Sequence, residues 1–312
     1  MANIEENTKA KPFLKWAGGK KQLLKEIENY YPFKDSKMTK YVEPLVGGGA
    51  VLFDILNKYD LKEIYISDTC AELINTYKVI KSQVNYLLKL LNEYQKEYLS
   101  LSIEEKKAYY NLKRDKFNSI KLNMNEESNK ENIEKAALMI FLNKTCFNGL
   151  YRVNSKGKFN VPMGAYKNPL ICDESNLKAV SEKLQKVTII YGEYTSVLKF
   201  IDENAFVYID PPYRPLNKTS YFTAYNENLF TDVKQIELAN FVNKINDKKA
   251  KVLISNSDPK NVDENDNFFD KLYKNYNIKR VKATRMINSK KDSRGKINEL
   301  LISNFQVEED VN

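Results

Sequence analysis

The sequence predicts an α/β fold on an open sheet, and three stretches carry that prediction. Phe206-Val207-Tyr208-Ile209 is aromatic and β-branched, the composition of a buried strand, and it runs into Asp210-Pro211-Pro212-Tyr213. Proline donates nothing to a ladder and holds the residue before it extended, so the strand stops there. Tyr41 to Leu45 is a second short strand, entering Gly47-Gly48-Gly49 and then an amphipathic helix over Ala50 to Tyr59. Strand, glycine turn and helix in that order let a backbone approach a nucleotide-like ligand closely. After Leu170 the alternation of strands and helices resumes, which completes the α/β pattern.

Taken in order, Phe13 to Lys20 contains the only tryptophan of the chain, Trp16, beside Gly18, Gly19 and Lys20. A Gly-Gly-Lys at the start of the helix expected over Gln22 to Tyr31 can bind an anion, although P-loop spacing is absent. A packed aromatic beside a flexible loop accounts for the same residues equally well. The strand Ile64 to Ser67 ends on Asp68, about 20 residues after Gly47, where an acid commonly accepts hydrogen bonds from a ribose. From Leu73 to about Leu142 the pattern is helical, with Leu87, Leu88, Leu90, Leu91 and Tyr94 at helical spacing and further apolar faces over Ala108 to Phe117 and Ala136 to Leu142. Most of these residues read as core. The polar run Asn123 to Asn132 reads as a surface loop.

Leu150 to Val161 reads as a β-hairpin turning at Ser155-Lys156-Gly157. Around it Asn148, Arg152, Asn154, Lys156, Lys158, Asn160 and Lys167 are interleaved with Phe147, Tyr151, Phe159 and Tyr166. An arginine on a rigid hairpin can address O6 and N7 of guanine, and asparagine can bond bases or phosphates. An exposed hairpin whose charges are only solvated is the plain alternative. Further on, Val187 to Tyr191 and Lys251 to Ser255 read as strands and Thr231 to Asp247 as a helix. Thr219 to Tyr225 reads as a polar-aromatic loop. Arg280 to Ile287 and Glu299 to Phe305 form a late antiparallel pair joined by a basic loop, Asn288 to Lys296.

Composition narrows the chemistry. The 312 residues contain no histidine, which removes Ser-His-Asp triads, histidine bases and histidine-ligated metals together. Cys70, Cys146 and Cys172 are widely spaced and read as reduced buried thiols, as in a cytosolic protein. Met1 to Lys11 lacks an apolar signal core, and no apolar run is long enough for a membrane span. Fifty basic against 41 acidic residues give a formal charge of +9. That excess suits a polyanionic partner, but lysine abundance also follows genome composition, so it carries little weight alone.

The Asp210 segment suggests a definite reaction. The lone pair of an exocyclic amine on a nucleobase is delocalised into the ring, so the amine is a poor nucleophile. Two acceptors on its two N–H bonds, the Asp210 carboxylate and the Pro211 carbonyl, would draw the nitrogen toward pyramidal geometry and free that pair. Pro211 and Pro212 fix the acceptors in advance, and Tyr213 can stack on a base turned out of its helix. A strand end with Asp210 as a local cap and Tyr213 in the core is the alternative.

Six stretches in this order resemble the Dam-type, alpha-group DNA adenine N6-methyltransferases. They are Phe-Leu-Lys-Trp-Ala-Gly-Gly-Lys (13–20), Glu-Pro-Leu-Val-Gly-Gly-Gly (43–49), Tyr-Tyr-Asn-Leu-Lys-Arg (109–114), Phe-Asn-Gly-Leu-Tyr-Arg-Val-Asn (147–154), Lys-Phe-Asn-Val-Pro (158–162) and Asp-Pro-Pro-Tyr (210–213). The resemblance implies a Rossmann-like S-adenosylmethionine-dependent methyltransferase sheet with a helical and β-hairpin target-recognition insertion. The division would be 1–80 with 170–312 for catalysis and 81–169 for DNA. It implies that Trp16, Lys20, Asp68 and Asp210 contact S-adenosylmethionine, with Gly47 and Gly49 shaping its loop. Asp210 and Pro211 would hold the adenine amine, Pro212 the turn, and Tyr213 the flipped ring.

For DNA the resemblance implies that Lys15 reads the first guanine of GATC and Arg152 the opposing one. Phe147 would intercalate, Asn148 and Asn154 would touch the backbone, Leu150 and Pro162 would sense the thymine step, and Asn160 would belong to the same contact set. The implied partners are double-stranded DNA and, as a functional partner only, a cognate restriction endonuclease. A cytoplasmic, nucleoid-associated monomer needing no metal is expected. Two positions depart from the family: Leu45 stands where phenylalanine is usual, and Ala165 where some relatives carry arginine. Cytosine-N4 methylation, RNA or protein amide methylation, and a silent DNA-binding regulator remain as alternatives.

Overall fold

The computed structural model describes residues 9–34, 37–124, 129–214, 230–284 and 296–307. The strands are β1 (Lys40–Pro44), β2 (Glu63–Asp68), β3 (Val187–Tyr191), β4 (Ala205–Ile209), β5 (Lys251–Ser257), β6 (Asn277–Thr284) and β7 (Lys296–Ser303). They make one mixed seven-stranded sheet in the order β3-β2-β1-β4-β5-β7-β6. β4 runs parallel to β1 on one side and to β5 on the other, and β7 is antiparallel to both β5 and β6. The α/β class and the late antiparallel pair are thus as expected. Every residue of β4 is buried, which is why it reads as an unbroken apolar run rather than an alternating one.

The helices are α1 (Leu24–Glu28), α2 (Ala50–Lys58), α3 (Ala71–Ser100), α4 (Ile103–Ser119), α5 (Lys130–Thr145), α6 (Glu174–Leu184), α7 (Asp232–Asp247) and α8 (Phe268–Leu272). By compactness the chain falls into two units, one of Met1–Gly19, Gly47–Asp60 and Ser67–Gly192, the other of Lys20–Val46, Leu61–Ile66 and Glu193–Asn312.

In the first unit α5 is the central helix, buried on every side from Lys135 to Asn143. Phe141 packs edge-on to the rings of Tyr94, Tyr98 and Tyr109 on α3 and α4. Ser102 starts α4 with a full capping box: its side chain accepts from the Glu105 amide, and Glu105 accepts from the Ser102 amide. The Lys135 ammonium closes the other end by donating to the carbonyls of Phe117 and Ile120, 2.7 and 3.0 Å away. In the second unit Tyr31, Phe33 and Tyr41 pack around Phe206 of β4.

Three expectations are corrected. The helix expected over Gln22 to Tyr31 is only the five residues of α1. Proline at position 32 excludes helical geometry for Tyr31, and the chain leaves through tight turns to Ile27 and Glu28. The Asn123 to Asn132 loop is shorter than expected. Asn129 caps α5, and Asn132, inside the helix and buried, exchanges hydrogen bonds with the backbone of Asn123. The hairpin over Leu150 to Val161 reverses as expected, but its pairing is a single bridge between Val153 and Phe159 and not a ladder. The stretch Thr219 to Tyr225 and all of the basic loop before Lys296 lie outside the described residues.

Candidate active site and nucleic-acid interface

Asp210 follows the last residue of β4, so a buried strand delivers a carboxylate to its own carboxyl end. The carboxylate is held from one side. Lys20 Nζ lies 2.7 Å from Oδ1, and the Ser255 hydroxyl donates to the same oxygen at 3.0 Å. Oδ2 and the Pro211 carbonyl have no hydrogen-bond partner among the described residues. Burial pushes the Asp210 carboxyl above the ordinary carboxylate range, against the Lys20 ammonium and the Ser255 hydroxyl, which both hold it down.

Lys20 is buried, at 4% exposure, and ties the segment together. It donates to Tyr213 Oη at 2.8 Å and sits 4.7 Å from the centre of that ring. Tyr213 in turn donates to Glu299 Oε2 at 2.8 Å. Arg214, the next residue, forks onto Asp232 with two bonds of 2.6 and 3.0 Å and reaches Asp266 at 2.5 Å. This bidentate anchor fixes the exit of the Asp-Pro-Pro-Tyr segment onto the first turn of α7. Pro211 is buried and Pro212 exposed.

The glycine turn belongs to the other unit. Gly47 (φ +50°) and Gly49 (φ +69°) take left-handed backbone that side chains rarely adopt. A Cβ at Gly47 would lie 2.8 Å from the Trp16 ring, so the indole lies against the turn. The Gly47 amide donates to Asp68 Oδ2 at 3.0 Å and the Cys70 amide to Oδ1 at 2.9 Å. Asp68 therefore pins the turn to the end of β2, and the Thr69 amide also bonds its carboxylate. Burial raises its carboxyl from the usual range. Trp16, Gly47, Gly49 and Asp68 are thus together.

The same indole stacks on Tyr151, with ring centres 5.3 Å apart and planes 22° from parallel, so the start of the hairpin rests on the residue that lies against the glycine turn. Lys15, one residue away, packs under Gly149, where a Cβ would lie 2.5 Å from its side chain. Asn143 holds the pair: it accepts from the Lys15 amide at 2.8 Å and donates to the carbonyls of Lys15 and Gly149, both at 2.9 Å. Nothing in the sequence reading had marked Asn143. Replacing it with Ala leaves three backbone groups unpaired, and a stability loss of roughly 1–3 kcal/mol is expected in urea unfolding.

On the hairpin the side chains expected to meet DNA are mostly exposed. Phe147 is 52% and Leu150 39% accessible, large apolar groups set among cations and amides. Asn148 sits in left-handed backbone (φ +55°), within a 3₁₀ turn over Phe147–Gly149. Arg152 is exposed, and its Nε donates to Asn160 Oδ1 at 2.8 Å, which aims the guanidinium. Asn154 closes the hairpin tip by accepting from the Lys156 and Lys158 amides. The Pro162 carbonyl accepts from the Phe147 amide at 2.9 Å.

Besides Asn143, the residues to which sequence reasoning gives no role are Ser255, Tyr208 and Glu299. The signal was present for the first, since Ser255-Asn256-Ser257 ends an apolar strand in polar residues at its carboxyl end, as Asp210 does. Glu299 is a lone acid in an apolar strand. Among the described residues no group of three or more cysteine, aspartate or glutamate side chains is placed to hold a metal ion. No helix among them is long and apolar enough to cross a membrane.

Comparison with known proteins gives the family. The family model of the D12 class N6 adenine-specific DNA methyltransferases matches residues 16–287. The Type II methyltransferase M.MjaIII of Methanocaldococcus jannaschii is 51% identical over 298 residues, covering 95% of this chain and 99% of that protein. The Type II methyltransferase M1.LlaDCHI of Lactococcus lactis is 36% identical over 297 residues, with 95% of each chain covered. A DNA adenine methylase of Escherichia coli K12 is 33% identical over 296 residues, covering 94% and 95%. With Asp-Pro-Pro-Tyr at the end of a buried strand, and with the family matched from Trp16 onward, the chain belongs to the D12 class N6 adenine-specific DNA methyltransferases and is an adenine-specific DNA methyltransferase.

Proposed function

We propose that this enzyme moves a methyl group from S-adenosylmethionine to N6 of an adenine turned out of duplex DNA, within GATC. The observation that carries the chemistry is the one-sided hold on Asp210. Lys20 and Ser255 occupy Oδ1, while Oδ2 and the Pro211 carbonyl remain as two acceptors for the two N–H bonds of an exocyclic amine. A base stacked on Tyr213 would use the ring face opposite Lys20.

The residues at the glycine turn fit the cofactor. Asp68 is a buried carboxylate at a strand end, a group suited to accept from a ribose hydroxyl, Trp16 offers an indole, and Gly47 and Gly49 let the backbone come close. Bound there, S-adenosylmethionine supplies an electrophilic methyl on a sulfonium, whose sulfur keeps the bonding pair as a neutral thioether. Asp210 and Pro211 would hold the amine by its two N–H bonds and free its lone pair for the methyl group. The nitrogen forms the new N–C bond and its extra proton leaves to water, so no histidine is required.

For the substrate, exposed Phe147 and Leu150 and an aimed Arg152 support a reading head for duplex DNA. Lys15, Asn148, Asn154, Asn160 and Pro162 complete the proposed contact set, and the stretch 81–169 is the proposed recognition part. GATC rests on the resemblance of this segment to the Dam-type enzymes, and a restriction endonuclease of the same specificity is proposed as a functional partner. The test is radiolabelled transfer to paired duplexes, one with a single GATC and one with its A and T exchanged. Label as N6-methyladenine on the first alone is expected; equal label on both would remove the specificity. Replacing Arg152 with Ala should relax discrimination at the outer guanine by roughly 1–3 kcal/mol, read as the ratio of kcat/KM on matched and mismatched duplexes.

A further inference from the structure

We propose that Tyr208 and Ser255 form a hydrogen-bond relay that holds the Asp210 carboxylate in the plane the incoming amine needs, Ser255 as a positioning residue and Tyr208 acting through it. The inference rests on the reading that Asp210 accepts a hydrogen bond from the adenine amine.

The relay follows from strand geometry. β4 and β5 are parallel, with Tyr208 opposite Leu253 and Ile209 opposite Ile254. The next step of that register sets Ser255 beside Asp210. Tyr208 lies two residues before Asp210, so both side chains leave the same face of the strand. Ser255 Oγ is 3.0 Å from Asp210 Oδ1 and 2.9 Å from Tyr208 Oη. A serine hydroxyl has one hydrogen. Given to the carboxylate, which has none to offer, it leaves Ser255 to accept from Tyr208. The order is Tyr208 to Ser255 to Asp210. Tyr208 can always donate, because burial holds its phenol protonated.

Lys20 alone cannot set this plane. Its ammonium is a compact charge shared with Tyr213 and attracts the carboxylate with little preference for direction. Ser255, fully buried on an inner strand of the sheet, offers one hydrogen along one direction. The charged and titratable groups around the carboxylate are Lys20, Tyr213, Tyr208, Glu299 on β7, 4.0 Å from Lys20, and Glu43 on β1, which acts on Tyr208. Among the described residues only Lys20 and Ser255 bond Asp210 itself.

The test is a set of variants assayed for kcat, KM and pH profile on the same duplex. Replacing Ser255 with Ala should lower kcat roughly 10–100-fold, the effect of losing one hydrogen bond to a charged group, and leave KM for DNA unchanged. It should also move the acid limb of kcat to higher pH, because the lost donor favoured the ionised carboxylate. Ser255→Thr keeps the hydroxyl on a residue suited to a strand and should restore both. Tyr208→Phe should lose less than Ser255→Ala, and the double variant should equal Ser255→Ala alone. Unchanged kcat and acid limb in Ser255→Ala, no rescue by Ser255→Thr, or additive losses in the double variant would each overturn the relay. Asp210→Asn in the same assay separates the two readings: if it turns over normally, the role of Asp210 fails; if it is inactive while Ser255→Ala is normal, only the relay fails.

Discussion

Replacing Asp210 with Asn is expected to stop methyl transfer as thoroughly as replacing it with Ala, by at least roughly 10²–10³-fold in kcat. Asparagine has the same shape, so the loss must come from hydrogen-bond polarity. Lys20 and Ser255 both donate to one oxygen, and an amide answers two donors only with its carbonyl. Its NH₂ then stands where Oδ2 stood and meets the N–H of the adenine amine, donor against donor. Radiolabelled turnover with DNA binding followed by fluorescence anisotropy checks this. An Asn variant that binds DNA and turns over near the wild-type rate would sink the two-acceptor mechanism. The pH dependence has a definite sign. On the proposed mechanism Asp210 works ionised, and burial lifts its carboxyl, so the acid limb of kcat should lie above the ordinary aspartate range. For stability the same shift runs the other way. A carboxyl raised on folding favours the fold fully below its unfolded value, and that contribution is lost as pH rises through its folded value.

The second large effect is expected at the glycine turn. Gly49→Ala places a Cβ 2.5 Å from Tyr77 Oη and 3.2 Å from the Phe53 ring, at φ +69°. Tyr77 is fully buried and its hydroxyl donates to the Gly47 carbonyl at 3.1 Å, so it cannot step aside without releasing the turn. Backbone strain and overpacking together should cost about 2–5 kcal/mol and remove cofactor binding by calorimetry. Gly157 is the control. It has the same φ of +69° but open space around it, so Gly157→Ala should cost only about 1 kcal/mol. Equal losses at the two sites would show that conformation alone, and not the Tyr77 contact, makes Gly49 necessary.

These effects also show where the sequence was legible. β4 could be read because a strand buried on both faces is a continuous apolar run, β1 and β2 because short apolar stretches run into a glycine turn and into Asp68, and Asp210 because two prolines mark the strand end. The short α1 was misread because its apolar spacing continues past the point where Pro32 forbids helix. The hairpin ladder was misread because only Val153 and Phe159 pair behind the turn that Asn154 and Gly157 close. Ser255 and Asn143 stayed hidden for a different reason. Their partners lie 45 and 128 residues away along the chain, and a polar side chain gives no local sign of a partner that only folding brings to it. Lys20 was visible as a cation beside two glycines, yet nothing local linked it to Asp210 and Tyr213.

The contact between Trp16 and Tyr151 has a practical consequence. The chain has a single tryptophan, so emission excited in the indole band comes from one residue and needs no deconvolution. That residue lies against the Gly47 turn on one side and a hairpin tyrosine on another. If the turn takes the cofactor and the hairpin the DNA, as proposed, both events report through the same chromophore. A titration of either ligand, alone and in the presence of the other, reads both events from unlabelled protein in one optical channel.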